Sequence, residues 1–285
     1  MTTSVVIPTF NGLDFLTANL PAVVAIHPDE IIVTDDASTD GSADFVSRTY
    51  PHVKLIRQPR NTGFPMNVNT GFTHAVGDIV ILLNQDAAPH PQLIKTILPH
   101  FTNPTIFAVT FNAQIQSWAD ASFHHGFLDY KNGVQDGKIH RSFWASGGAA
   151  AFRKSIWDEL GGLDSIFSPG YYEDLDLGWR SWRSGYQIIW DPGALVTHDK
   201  PESTFNATYR LKSLQRIKDR NLLLAHWKNL DADYLPSHAF YLVSRIFQHP
   251  GYIVPVIVAL LHLPHVIASR GPSKLSTTEI FTKFV

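Results

Sequence analysis

The sequence predicts an α/β protein with a mainly parallel central sheet flanked by helices and a helical extension at its C-terminus. Three observations predict it. Up to about residue 104, short apolar, β-branched runs alternate with stretches of helical apolar spacing, the rhythm of βαβ units. Several of those runs stop abruptly at Asp or Asn, where the carboxyl edge of a parallel sheet would lie. Beyond about residue 203 the chain is helical in character.

The elements follow in order. "SVVIPTF" (Ser4–Phe10) is a buried strand by its β-branched run. "NGLDFLTANLPAVVA" spaces Leu13, Leu16 and Leu20 on one helical face. "EIIVTDDAS" is a second strand ending in adjacent carboxylates, and "DGSADFVSRTY" a helix with Asp40 as its N-cap. "VKLIRQ" is a third strand, "NTGFPMNVNTGFTHAV" a loop and helix, and "GDIVILLN" a fourth strand. "TIFAVTFNAQI" is a strand, whereas residues 116–141 are polar and aromatic with little period. "SFWASGGAAAFRKSIWDELGG" gives a strand, a Gly-Gly turn and a helix. "YYEDLDLGWRSWRSGY" is a helix with carboxylates at its start, and "QIIWDPGALVTHD" a late strand ending in His198. "TYRLKSLQRIKDRNLLLAHWKN" places Leu211, Leu214, Ile217 and Leu224 near one face, with Arg210, Lys212, Arg216, Lys218, Arg220 and Lys228 around it. The apolar run Gly251–Ala268 is broken by Pro255, Pro264, His262 and His265. A spanning helix needs about 20 apolar residues, so this run reads as buried or interfacial.

Composition narrows the function classes. The chain has 285 residues, 44% hydrophobic and 17% charged, enough for a sizeable core. It has no cysteine, which removes disulfides, thiolate metal sites and cysteine nucleophiles and is compatible with a reducing compartment. The N-terminus lacks a charged n-region and a long apolar h-region, so no secretory signal is expected. The net charge of −2 hides an asymmetry: residues 1–200 carry 13 basic and 20 acidic side chains, residues 201–285 carry 10 and 5. An acidic body argues against a nucleic-acid partner.

Three strand ends would converge on one crevice: Pro8-Thr9-Phe10-Asn11, Asp35-Asp36 and Asn84-Gln85-Asp86. A single such Asp is often a turn former or cap; three polar ends in one sheet point to a ligand site. "VVIPTFNG", "VTDDASTDGS", "NTGF", "LLNQDA" and "YYEDLDLGWR", in this order and spacing, resemble the family 2 glycosyltransferases, inverting enzymes of GT-A fold that use nucleotide-diphospho-sugars. "NTGF", "LLNQDA" and the late "EDLDLGWR" resemble the rhamnosyltransferase-like branch. The resemblance covers roughly residues 4–200.

The resemblance implies a division of labour. Residues 1–104 form a nucleotide-sugar-binding half, 105–202 an acceptor-binding and catalytic half of the same domain, and 203–285 a C-terminal helical region. Asp35 or Asp36 accepts from the nucleobase imide. Pro8, Thr9 and Asn11 line the nucleotide pocket, and Asn61 and Gly63 approach the ribose or donor sugar. Asn84 and Gln85 belong to the donor site, and Asp86 holds a divalent cation, Mn²⁺ or Mg²⁺. The usual pattern here is Asp-x-Asp, and this chain has Asn84 in the first position. His198 is the natural further metal ligand. Asp174 is the general base, supported by Glu173, with Asp176 an acceptor contact. Trp144, Gly147 and Gly148 border the acceptor, glycine allowing close approach. The implied partners are a dTDP- or UDP-sugar, with rhamnose the first choice, and a glycan or polyprenyl-diphosphate-linked acceptor. The basic C-terminal helix would then rest on anionic lipid, at the inner face of the cell membrane of a cytoplasmic protein.

Two other classes come into view. A sugar-phosphate nucleotidyltransferase usually carries a Gly-rich, basic loop after its first strand, where this chain reads "PTFNG". A non-catalytic nucleotide-sugar binder is suggested by Asn84, but Asp86, Asp174 and His198 are all present.

Overall fold

The computed structural model describes residues 1–113, 117–198 and 211–284. The expected boundary at 202/203 and Arg210 lie outside the described residues. The chain builds one large sheet, β1 (Thr3–Thr9), β2 (Glu30–Asp35), β3 (Lys54–Arg57), β4 (Ile79–Leu83), β5 (Ala87–Pro89), β6 (Ile106–Asn112), β9 (His140–Arg141), β10 (Ala149–Arg153) and β11 (Gln187–His198), plus a hairpin, β7 (Ala119–His124) and β8 (Phe127–Asn132). The sheet order is β3-β2-β1-β4-β10-β6-β11-β5, with β9 on the side of β11.

The parallel expectation holds for β1 to β4 and for the β6–β11 pair. β10 breaks it, running antiparallel between β4 and β6. The Gly147-Gly148 turn precedes this strand rather than following one, because Ala149–Arg153 itself is the strand and the helix starts at Lys154. The hairpin β7–β8 occupies the stretch where the sequence showed little period. Only one side of it packs against the core, so its apolar signal is diluted by exposed polar residues.

Both faces of the sheet are covered, which is why its strands are nearly continuous apolar runs. The two-residue period sorts them. Val5, Ile7, Ile31, Val33, Ile79 and Ile81 meet Leu16, Leu20 and Val23 of α1 (Leu13–Ala25) and Val46 of α2 (Ser42–Thr49). Val6, Ile32, Val80 and Leu82 face the opposite layer with Val68 and Phe72 of α3 (Phe64–His74). That layer extends through Trp157 of α5 (Lys154–Leu160) to Trp179 and Trp182 of α6 (Glu173–Arg183). α4 (Leu93–Ile97) packs near the β11 edge. Gly41, at φ +92°, caps α2 in place of the expected Asp40. Asp40 stands one residue earlier and serves two helices: it accepts from the Ser42 N–H at 3.0 Å and from the Leu13 N–H at 2.9 Å.

Among the described residues, five α-helices follow: α7 (Leu211–Asn229), α8 (Leu235–Gln248), α9 (Ile253–Leu260), α10 (Leu263–Ala268) and α11 (Thr277–Phe281). α7 packs against α6 and α9. Its buried side carries Leu214, Leu223, Leu224 and Ala225, while Leu211, expected on that side, is 79% exposed. Lys228, expected among the surface cations, is buried. No described helix is long and apolar enough to cross a membrane. The run Gly251–Ala268 forms two short helices that leave Ile257, Leu261 and Ile267 exposed.

Candidate active site

A cleft of about 280 Å³ opens where β1, β2 and β4 end. Pro8, Thr9 and Phe10 line it at the end of β1. Thr9 Oγ1 donates to Gln85 Oε1 at 2.5 Å, the Phe10 N–H donates to the same oxygen at 3.1 Å, and Asn19 Nδ2 donates to the Gln85 carbonyl at 3.2 Å. Gln85 therefore ties the end of β4 to the β1–α1 loop while lining the cleft. A Cβ on Gly12 would stand 2.0 Å from Gln85 Oε1, so any larger residue there would displace the Gln85 amide from this network. Asn11 is exposed and outside the lining; its side chain accepts from the Thr39 N–H at 2.9 Å.

The structure separates the two acids that end β2. Asp36 lines the cleft, and its carboxylate accepts from Thr62 N–H and Oγ1 (2.8 and 2.9 Å) and from the Gly63 N–H (2.9 Å). Asp35 is buried beneath the cleft wall, accepts from the Ser38 N–H at 3.2 Å, and is not in the lining. Asn61 and Gly63 both line the cleft, and Gly63 sits at φ +86° and ψ 163°, a positive-φ conformation that favours glycine.

At the end of β4, Asn84 packs its amide over Gly148: a Cβ there would lie 2.3 Å from Asn84 Nδ2. A side chain at this position would push the Asn84 amide aside, and the Asn84 N–H donates to the Gly148 carbonyl at 2.9 Å. Asp86 is 8% exposed and lines the cleft, and its Oδ1 is buried without a hydrogen-bond partner. β5 pairs antiparallel with β11 so that His198 stands opposite Ala87, the neighbour of Asp86. His198 is not among the residues lining the cleft. Among the described residues, no group of three or more His, Asp or Glu side chains is arranged to hold a metal ion.

Across the cleft, Asp174 sits in the first turn of α6. Its Oδ2 accepts from the Gly147 N–H at 3.2 Å and its Oδ1 from the Leu175 N–H at 2.8 Å. Burial nevertheless raises its carboxyl above the ordinary range. Glu173 is pushed up further, first by burial and then by the neighbouring Asp174 charge, and its Oε2 has no hydrogen-bond partner. Asp176, expected to contact acceptor, lies elsewhere. It is fully buried and binds Arg180 Nε at 2.8 Å, Lys228 Nζ at 3.0 Å and Asn229 Nδ2 at 2.8 Å. Two residues past Asp174, and so about 200° round the helix from it, it faces α7 rather than the cleft.

A second cleft, of about 490 Å³, shares Ser146 and Asp174 with the first. Trp144 lines it, its ring edge-on to Tyr130 at 5.1 Å between centroids. Tyr130, Lys131 and Asn132 come from the hairpin that the sequence reading missed, and Ser146 was not singled out either. In the first cleft the overlooked residues are Phe64, Asn67, Pro169 and Tyr171. Asn67 carried a legible signal, an amide on the apolar side of a helix. Its Nδ2 donates to the Thr34 carbonyl at 2.9 Å, between two strand ends.

The family model for glycosyl transferase family 2 matches residues 4–161, more than half of the chain. The chain belongs to glycosyl transferase family 2. Among its relatives is a pre-mycofactocin glycosyltransferase of Mycobacterium tuberculosis, 29% identical over 206 residues, 69% of this chain and 42% of that protein. Another is the N-acetylglucosaminyl-diphospho-decaprenol L-rhamnosyltransferase of Mycobacterium tuberculosis, 25% identical over 212 residues, 62% of this chain and 69% of that one. The chain thus spans less than half the length of the first relative. Among solved structures, GalNAc-T7 with UDP, GalNAc and Mn²⁺ aligns with a TM-score of 0.63 at 18% identity, covering 82% of this chain and 49% of that one. The mannosyltransferase PcManGT from Pyrobaculum calidifontis, in complex with GDP-Man and Mn²⁺, aligns at 0.57 and 19%, covering 94% and 85%. The family 2 chain has the GT-A fold, with its mixed sheet, flanking helices and C-terminal helices.

Proposed function

We propose that this family 2 chain moves a sugar from a nucleotide-diphospho-sugar in the first cleft to a hydroxyl of a saccharide in the second, inverting the anomeric carbon. One observation carries the reading: Asp174 lines both clefts. A base there can take the proton from the acceptor hydroxyl as that oxygen forms its bond to the anomeric carbon. The bond from that carbon to the diphosphate breaks, and the diphosphate leaves with the electron pair. The upward push of burial on Asp174 brings its basicity closer to that needed near neutral pH. The Gly147 N–H orients the carboxylate from the floor between the clefts.

The residues fit a divalent cation, Mn²⁺ or Mg²⁺. Asp86 offers a buried oxygen with no partner, Asn84 stands two residues before it, and His198 pairs across from Ala87, its neighbour. Bound there with donor phosphates, the cation would supply charge neutralisation to the departing diphosphate. With one carboxylate where the family often has two, the site would hold metal weakly until donor phosphates completed its shell. Asp36 has already spent three acceptor positions on the Asn-Thr-Gly turn and retains one for an imide N–H. A uracil or thymine base fits that edge, and rhamnose is the favoured sugar, supported by the likeness to the decaprenol-linked rhamnosyltransferase.

The membrane contact moves from the basic helix to its neighbours. On α8, Phe240, Val243 and Phe247 are exposed at helical spacing, and Val254, Ile257 and Leu261 repeat the pattern after the turn. No acidic residue occurs from Leu235 to Arg270. Such a face suits anionic lipid and a lipid-linked acceptor.

Calorimetry with UDP-, dTDP- and GDP-sugars, each with and without Mn²⁺, tests the donor side, and NMR of the product anomer tests the stereochemistry. Metal-enhanced binding of dTDP- or UDP-sugar and an inverted product are expected. Binding confined to GDP-sugars, or a retained anomer, contradicts the proposal.

A further inference from the structure

The loop that leads into α6 is held by one turn of α7. Asn221 is fully buried, and its Nδ2 lies 2.9 Å from the Phe167 carbonyl, 3.0 Å from that of Gly170 and 2.9 Å from that of Tyr171. Behind it, Asn221 Oδ1 accepts from Arg220 Nε at 2.8 Å and Nη2 at 2.6 Å. The same Nη2 donates to the Ser168 carbonyl at 2.6 Å, and the Lys218 ammonium stands 4.2 Å above the Tyr171 ring. Four carbonyls of residues 167–171 are thereby tied to α7.

The clamped segment is the one that needs clamping. Tyr171 and Tyr172 follow one another at φ +75° and +70°, a region that aromatic residues adopt only when their surroundings enforce it. Asp174 comes two residues later. The same loop also walls the first cleft through Pro169, whose carbonyl accepts from the Phe64 N–H at 2.9 Å. An amide suits the position because it turns N–H groups toward the loop carbonyls and an oxygen toward the guanidinium. A carboxylate of the same shape would face those carbonyls with no proton to share.

We infer that Asn221, seated by Arg220, is a positioning residue for the Asp174 base: it fixes the left-handed Tyr171-Tyr172 turn that aims α6 at the floor between the two clefts. The inference rests on the glycosyl-transfer reading for its catalytic consequence but not for its structural one. The variants are Asn221→Asp and Asn221→Ala, with Arg220→Lys as a milder change should the buried substitutions fail to fold. Two readouts apply. Amide hydrogen exchange over residues 168–176 reports the clamp without any substrate. Steady-state kinetics and the pH profile report the base.

Faster exchange in 168–176 is expected, with the protection of β1 and β2 unchanged. kcat should fall roughly 10- to 100-fold while the donor KM moves by about threefold or less. The acid limb of the kcat profile should shift, because Asp174 changes its surroundings. Arg220→Lys should move every readout the same way by less. Folded variants with wild-type exchange over 168–176 overturn the inference, as does an unchanged kcat with a raised KM. If no variant and no wild-type protein transfers sugar, the glycosyl-transfer reading fails alone and the exchange result still decides the clamp.

Discussion

Replacing Lys228 by Met removes the charge that joins the C-terminal helices to the helix bearing Asp174. Lys228 Nζ lies 2.6 Å from Asp164 Oδ2 and 3.0 Å from Asp176 Oδ2, and its side chain is 4% exposed. Methionine fills a similar volume, so the main loss is electrostatic. Asp176 keeps Arg180 and Asn229, but Asp164 is left with the Ile166 N–H and the half-exposed His265. Breaking a buried pair by removing one partner costs about 3–5 kcal/mol. At about 2 cal/mol/K of unfolding entropy per residue, a chain of this size loses roughly 5–8 °C of Tm.

The pH dependence follows from Asp164. Burial pushes its carboxyl up, but the Lys228 ammonium and hydrogen bonds outweigh burial and lower it to about 2. A carboxylate depressed on folding contributes stability that is full above its unfolded value and is lost as pH falls through the folded one. The gap of nearly two units is worth about 2 kcal/mol, present at pH 7 and roughly halved by pH 3. Urea unfolding of wild type and Lys228→Met at pH 7 and pH 3 measures it. The difference should be about 3–5 kcal/mol at pH 7 and distinctly smaller at pH 3. Equal stability at pH 7, or a difference unchanged at pH 3, would refute the electrostatic account.

Two further outcomes follow from buried groups. Glu173 is raised by burial and by Asp174; a carboxyl raised on folding favours the folded state at low pH and costs stability as pH climbs through its folded value. Glu173→Gln should therefore raise Tm at pH 8 and lose that advantage toward pH 4, and a gain constant from pH 4 to pH 8 in thermal scans would speak against it. Gly71 in α3 lies where a Cβ would be 2.3 Å from Val6 Cγ1 and 3.3 Å from Thr34 Cγ2. Gly71→Ala should cost about 1–2 kcal/mol in urea unfolding, overpacking outweighing the better helix propensity of alanine; a stabilised variant would mean that the helix lifts from the sheet without penalty.

Much of the sheet was legible because burial on both faces turns each strand into an apolar run. Val5 and Val6 need no further signal to be placed, and their opposite faces follow from the two-residue period. The polar strand ends were equally legible as a group: Thr9, Asp36, Asn84 and Asp86 do converge on one cleft. Sequence could not decide between Asp35 and Asp36, because the difference lies in which carboxylate the Asn-Thr-Gly turn reaches from 26 residues away. The reading of Asp176 as an acceptor contact failed for a related reason. "EDLD" shows three acids in one turn, but only the tertiary placement of Lys228 and Asn229 shows that the third points away from the cleft. The hairpin lining the second cleft was invisible to periodicity, since Asp129 to Asn132 of β8 are all exposed and β7 buries only the small Ala119 and Ala121. The clamp at Asn221 left no trace in a helix read for its leucines and cations.

Sugar transfer by wild type and Asp174→Asn, with donor affinity measured in parallel, tests the central claim most directly. The side chain that lines both clefts is then changed only in its capacity to take a proton. The account predicts unchanged donor affinity and a transfer rate lower by about 10²- to 10⁴-fold. An Asp174→Asn protein that transfers sugar at the wild-type rate would contradict it.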